Sequence, residues 1–259
     1  MASAPQAQLP LFYKDLMPLN SRDHAKWNSR SVEKAPWIAG QHAIPVTVDE
    51  FALVQRHYPI VFSAGENPVP LALMGLNENV NVFFDDEGTA LEDAYFPAYL
   101  RRYPFLLARL DPNAQEMSLC FDPSSNILGE FEDGQALFDG DKPTEHTTSL
   151  LKFCEQFEEA GMRTQAFVDE LKKADLLMDG EVAIQHNDRP DQPFIYRGFQ
   201  MVNQDKLREL RGDQLRKWSE NGLLPLIYAH LFSLDLMRVI FGKQIAQGKG
   251  PNITPAEAN

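Results

Sequence analysis

AYFPAYLRRYPFLLARL, residues 94–110, gathers five aromatic rings around the adjacent cations Arg101 and Arg102. Tyr95, Tyr99 and Arg102 fall at i, i+4 and i+7, the spacing of one helical face. Tyr103 precedes Pro104, and a residue before proline is pushed out of the helical region, so the helix should stop there. The run Phe105-Leu106-Leu107-Ala108-Arg109-Leu110 then suits a short buried strand. The same order occurs upstream. Thr47-Val48-Asp49-Glu50 carries a capping-box pattern that opens a helix over 48–57, and Tyr58-Pro59 leads into Ile60-Val61-Phe62. Short helices that end at Tyr-Pro and pass the chain to a strand set the fold class. It is α+β: mainly antiparallel sheet elements, inserted short helices and a long C-terminal core helix.

Working outward, strands over 60–63 and 69–76 flank the turn-rich link 64–68, which predicts a hairpin. Further strands are expected over 80–84 and, after a turn at 111–115, over 117–121. The acidic stretch 122–145 carries Phe131, Leu137 and Phe138, so it should fold onto the body. Residues 9–145 thus read as an N-terminal sheet-rich lobe.

From residue 147 the period becomes helical, with Leu150, Cys154 and Phe157 on one face and Thr148 or Ser149 as cap. Gly161 should weaken or end that helix, and Phe167, Val168 and Leu171 continue its apolar face. Residues 176–186 should turn and enter a strand, with Val182 and Ile184 alternating, and 194–202 follow after a polar loop at 187–192, so a second hairpin is expected, with Gly198 marking a bulge. Asn203 and Asp213 are candidate caps of two short helices. Gly222 sits where a left-handed residue is wanted, and the last helix starts near Leu223 with Pro225 in its first turn. Residues 146–245 form a C-terminal helix-hairpin-helix lobe, joined to the first in one compact unit because no flexible linker separates them. Residues 246–259 read as a disordered tail. The expected core includes Phe62, Leu107, Phe157, Leu171, Leu231 and Phe232.

A formal charge of −13 over 259 residues argues against nucleic acid or an anionic membrane as principal partner. Lys206, Arg208, Arg211, Arg216 and Lys217 are the local candidates for a basic stripe. Cys120 and Cys154 each sit in an apolar pattern and read as buried free thiols, which suits a reducing cytoplasm. Residues 1–8 lack the basic start and apolar core of a secretory signal. Residues 223–241 have the length of a membrane span, but His230, Asp235 and Arg238 interrupt them, so a core helix without integral membrane insertion is expected.

The six histidines show no i, i+2 or i, i+4 pair, so no metal site is expected. There is no Gly-x-Ser-x-Gly elbow and no glycine-rich phosphate loop after a strand, and no cofactor is expected. On the last helix Tyr228 and Asp235 share a face with Arg238 alongside, while His230 and Ser233 look the other way. His230 and Tyr228 either satisfy internal loops or wall a pocket. Tyr99, Arg101, Arg102 and Tyr103 form a candidate binding surface. Two adjacent arginines cannot face the same way on a helix, so either one binds an internal carboxylate and the other is left for recognition, or Arg101 or Arg102 merely pairs with the acidic 130–145 region for structure.

Several stretches together resemble the SapC-like family of bacterial proteins. They are Phe12-Tyr13-Lys14-Asp15-Leu16-Met17-Pro18-Leu19-Asn20, Tyr58-Pro59-Ile60-Val61-Phe62, Pro97-Ala98-Tyr99-Leu100-Arg101-Arg102-Tyr103-Pro104-Phe105, Leu137-Phe138-Asp139, and Gly222-Leu223-Leu224-Pro225-Leu226-Ile227-Tyr228-Ala229-His230-Leu231. The resemblance brings no catalytic residues. The label of peptide-transport permease attached to some such proteins does not fit a chain with one interrupted apolar segment, since transport needs several spans. The expected function is a soluble, cytoplasmic, non-catalytic binding or accessory protein that recognises a peptide segment or protein partner. The alternative is an enzyme acting on a small organic substrate through His and Tyr acid–base groups. Assembly into a homo-oligomer stays open.

Overall fold

In a computed structural model, residues 9–32, 34–93, 95–110, 116–186 and 189–250 are described. The expected turn at 111–115, residues 1–8 and the tail residues 251–259 lie outside them, as do Asn187 and Asp188 of the expected polar loop. The chain divides into two units, each discontinuous in sequence: Met1–Lys34 with Tyr99–Glu159, and Ala35–Ala98 with Ala160–Asn259.

The second unit is built on a five-stranded sheet in the order Leu177–Asp179, Phe199–Val202, Ile60–Ser63, Pro70–Leu73, Ala43–Pro45, all antiparallel. Ile60–Ser63 lies at its centre, and Ile60, Val61 and Phe62 are all buried, as suits an unbroken β-branched and aromatic run. The hairpin with Pro70–Leu73 has the register Ile60↔Ala72 and Phe62↔Pro70. The second strand is shorter than expected. Beyond it, a side chain at Gly75 would come within 1.9 Å of the Val80 carbonyl oxygen, so the backbone packs closely on itself there.

Residues 80–84 do not form the expected strand; Phe84 makes only an isolated bridge with Ala90. Asn81 explains the difference. Its buried amide donates to the carbonyls of Ile38 and Gln41, and its Oδ1 accepts from the N–H groups of Phe83 and Phe84. The side chain thus takes two N–H groups that a continuous ladder would use, while the Val82 N–H still reaches the Met74 carbonyl. The helix expected over 48–57 is a 3-10 turn, Val48–Glu50, followed by Phe51–Val54, with the Thr47 N–H donating to Glu50 Oε1 at 3.1 Å as in a capping box.

The second hairpin pairs Val182–His186 with Arg189–Tyr196, so residues 189–192, expected in a loop, belong to a strand. Gly198, with φ of 94°, then turns the chain, and Phe199–Val202 leaves to join the main sheet. Asn203 caps Gln204–Glu209 by accepting the N–H groups of Asp205 and Lys206. Asp213 lies inside the first turn of Gly212–Glu220, not at its cap. Gly222 is left-handed as expected. The long C-terminal helix, Leu223–Ala246, follows; Leu234 and Asp235 form a turn within it while keeping right-handed helical backbone angles. By length and composition alone this helix could cross a membrane.

The expected core residues Phe62, Leu107, Leu171 and Leu231 are buried. Phe157 is half-buried. Phe232 is a correction, at 69% exposure. Ile227, His230 and Ser233 define the buried face of the helix, and at about 100° per residue position 232 points away from it.

The first unit carries an antiparallel sheet in the order Met17–Pro18, Ser118–Phe121, Phe105–Ala108. A second small sheet sets Asn28–Ser29 between Leu128–Gly129 and Gln135–Ala136. The acidic stretch folds onto these strands, with Leu137 fully buried. Glu145–Lys173 is one helix of 29 residues, whose part up to Glu159 belongs to this unit. Its cap is Thr144, whose Oγ1 accepts the Thr147 N–H at 3.3 Å. Gly161 does not end it; an isolated glycine only weakens a helix this long.

Cys120 and Cys154 are buried free thiols. Burial pushes the Cys154 thiol up to about 12, so it stays protonated at neutral pH. Both thiols are expected to resist iodoacetamide in the native protein at neutral pH and to react fully in urea, read by intact mass. Rapid labelling of either in the native state would contradict their burial.

Candidate functional site

In the first unit, helix Ala98–Arg102 stops where the pre-proline rule requires, and Tyr103-Pro104 is a cis peptide. The two arginines diverge as expected. Arg102 is buried at 5% exposure and its Nη1 donates to Glu158 Oε1 at 3.1 Å. The partner therefore comes from the helix after residue 145 and not from the acidic 130–145 stretch. The guanidinium also lies 4.1 Å from the Phe157 ring centroid and 5.1 Å from that of Tyr99, within cation–π range. Its Nε is buried without a hydrogen-bond partner among the described residues. Arg101 is exposed, with its guanidinium 5.3 Å from the Phe153 ring centroid.

Tyr99 and Tyr103 are buried, and their hydroxyls serve the interior. Tyr99 donates to the Leu11 carbonyl at 3.0 Å, and Tyr103 to Asp122 Oδ2 at 3.4 Å. Phe12 packs its ring 5.8 Å from both. Burial, with the Asp122 charge adding to it, pushes Tyr103 up to about 12. Asp122, fully buried, also accepts the N–H groups of Lys14 at 2.7 Å and Ser124 at 2.8 Å. The structure thus gathers Tyr99, Arg102 and Tyr103 into one packed cluster and leaves Arg101 facing solvent.

In the second unit, His230 and Tyr228 lie on opposite sides of one helix. The pairing Gln200↔Phe62 would next set Val202 against Ile60. There the imidazole of His230 takes the place of a direct ladder bond. Its Nδ1 donates to the Ile60 carbonyl at 2.7 Å, and its Nε2 accepts the Val202 N–H at 3.1 Å. A carbonyl on one nitrogen and an N–H on the other fix the neutral Nδ1–H tautomer. Ser233 completes the arrangement, accepting the Ile60 N–H at 2.8 Å and donating to the His230 carbonyl at 2.6 Å. Burial pushes His230 down to about 4, against an upward pull from the bond to Ile60. Both ring nitrogens are engaged, so His230 has neither left for a substrate proton.

Tyr228 is exposed, and its ring stacks on Phe232 with centroids 5.6 Å apart and planes at 29°. Pro225, Tyr228, Phe232, Asp235, Val239 and Gly242 are all exposed. Their spacing, i, i+3, i+7, i+10, i+14 and i+17, traces one stripe along the helix. That spacing is present in the sequence, but a helix apolar on nearly every side hides which face is buried. Glu50 does more than complete the capping box expected from the sequence. It is buried and accepts from the Thr47 N–H, the Tyr95 hydroxyl and the Ala98 N–H.

The candidate basic stripe is laced with carboxylates: Lys206 pairs with Asp175, Arg208 with Asp205 and Arg211 with Asp213. Among the described residues no group of three or more His, Cys, Asp or Glu is placed to hold a metal ion.

Residues 19–240, most of the chain, match the model of a family described as SapC. No curated protein and no solved structure matches the chain. A match of that extent agrees with the resemblance carried by the Tyr-Pro corners and the last helix, and the chain belongs to the SapC family.

Proposed function

We propose that this SapC family chain is a non-catalytic binding protein of the cytoplasm, and that its partner is another protein or a peptide segment held on the exposed stripe of the C-terminal helix. The observation that carries the reading is the Tyr228–Phe232 pair, two stacked rings with Phe232 at 69% exposure. Large apolar side chains grouped on one face mark contact surfaces, and an aromatic pair supplies the anchor such surfaces use. Three further facts support it. His230, the alternative acid–base group, has both nitrogens committed to the backbone. The hydroxyls of Tyr99 and Tyr103 are likewise committed. The two buried thiols suit a reducing compartment. Of the residues expected to bind, Tyr228 lies on this surface.

The test is a photo-crosslinking phenylalanine analogue placed at Phe232 in cells, with the same analogue at the exposed Arg216 as control. Protein adducts are expected at 232 and not at 216. Equal adducts at both positions, or none at 232, would refute the reading.

A further inference from the structure

We propose that the occupant of the stripe is a second copy of this chain, docked antiparallel about a two-fold axis that sets Asp235 of each copy against Arg238 of the other. This rests on the stripe being a protein-binding surface and names what binds there. The first observation is charge. Asp235 lies on the stripe and Arg238 flanks it; both are exposed, and neither has an ion-pair partner among the described residues. One carboxylate and one guanidinium, three residues apart and each without a counter-ion, are self-complementary across a two-fold axis, because that symmetry turns each pair of unlike groups into two contacts.

The second observation is where the charge is missing. The chain carries −13 overall, which opposes association of two copies. Yet residues 223–246 hold Asp235 as their only acid, beside Arg238 and Lys243. This helix is the part of an acidic chain on which a second acidic chain can approach.

The third observation is shape. With residue 235 opposite 238, Phe232 of one copy falls opposite the turn between Val239 and Gly242 of the other. Val239 is exposed, and the space above Gly242 is open, with nothing within 4 Å of the position a side chain would take. Tyr228 falls opposite Gly242 and Ala246, both small and exposed. Each aromatic ring thus meets a small-residue gap, the knob-and-groove fit of antiparallel helices. A lipid surface suits the stripe less well, because it would press Asp235 toward hydrocarbon.

Sedimentation velocity on the purified full-length chain tests this, up to about 100 μM, the weak end for a specific pair. Wild type is expected to dimerise. Asp235→Arg and Arg238→Asp should each weaken self-association by at least tenfold, since each sets like charges together twice. Mixing the two variants should restore a dimer, because Arg at 235 and 238 of one chain then meets Asp at 238 and 235 of the other. A role for either residue within its own chain predicts no such rescue. A wild type that stays monomeric, single variants that dimerise like wild type, or a mixture that stays monomeric would each overturn the proposal. Monomeric chain that floats with phosphatidylglycerol–phosphatidylethanolamine vesicles through Phe232 would overturn it in favour of a membrane. Crosslinks from position 232 to a different protein, with the chain monomeric, would overturn this proposal and leave the protein-binding reading standing.

Discussion

His230→Ala is expected to destabilise the protein by about 3–5 kcal/mol, the range for a substitution that both opens a core cavity and strands buried polar groups. The side chain is fully buried and bridges the Ile60 carbonyl to the Val202 N–H. Alanine leaves both backbone groups without partners, on adjacent strands at the centre of the sheet. Chemical denaturation reads the effect, and a loss below about 0.5 kcal/mol would place the imidazole outside the core.

The same residue gives wild type a pH signature. An unfolded His titrates near 6.5, while burial holds His230 at about 4 in the folded protein. Between those values the unfolded chain binds a proton that the folded chain refuses, so stability falls as pH drops through that window. The His230 contribution is intact above about 6.5, and its loss levels off below about 4, at about 3 kcal/mol. His230→Asn cannot titrate, so the difference in stability between it and wild type should narrow by that amount over the window. A difference independent of pH would contradict the neutral buried imidazole.

Asp122→Ala carries the second large effect, about 3 kcal/mol, because it leaves buried donors unsatisfied. The carboxylate is fully buried and holds the N–H groups of Lys14 and Ser124 and the hydroxyl of Tyr103. It ties the N-terminal segment at Lys14 to Tyr103 of the second Tyr-Pro corner. Asp122→Asn keeps one acceptor oxygen and should cost about half as much. Equal stability of wild type and Asp122→Ala in urea would show that these donors find other partners.

Much of this architecture was legible because it rests on local rules. The stop before Pro104, the hairpin at Ile60–Ser63, the Asn203 cap and the left-handed Gly222 all follow from backbone sterics and capping chemistry within a few residues. What stayed hidden depends on partners distant in sequence. Residues 80–84 have strand composition, but the Asn81 side chain is anchored on the Ile38 and Gln41 carbonyls some forty residues upstream, and from there its Oδ1 takes the N–H groups of Phe83 and Phe84. One of the two arginines was expected to find a carboxylate, yet sequence could not choose Arg102 over Arg101, nor Glu158 over the acidic stretch before it. The candidate site failed in the same way. Tyr-Arg composition marks interior clusters and contact surfaces alike, and Tyr99 and Tyr103 proved interior because Leu11 and Asp122 supply their hydroxyl partners. Phe232 shows the converse: on a helix apolar all round, only the sheet that receives His230 and Ser233 decides which face is left outside.

The central claim is that Tyr228 and Phe232 are exposed in order to be covered. Hydroxyl-radical labelling of these two rings tests it most directly, with the protein first isolated and dilute, then at native concentration in cell extract. The account predicts ready oxidation of Phe232 in the dilute protein and clear protection of both rings in extract, while an exposed control such as Met162 is labelled alike in both. Equal labelling of Phe232 under the two conditions would contradict it.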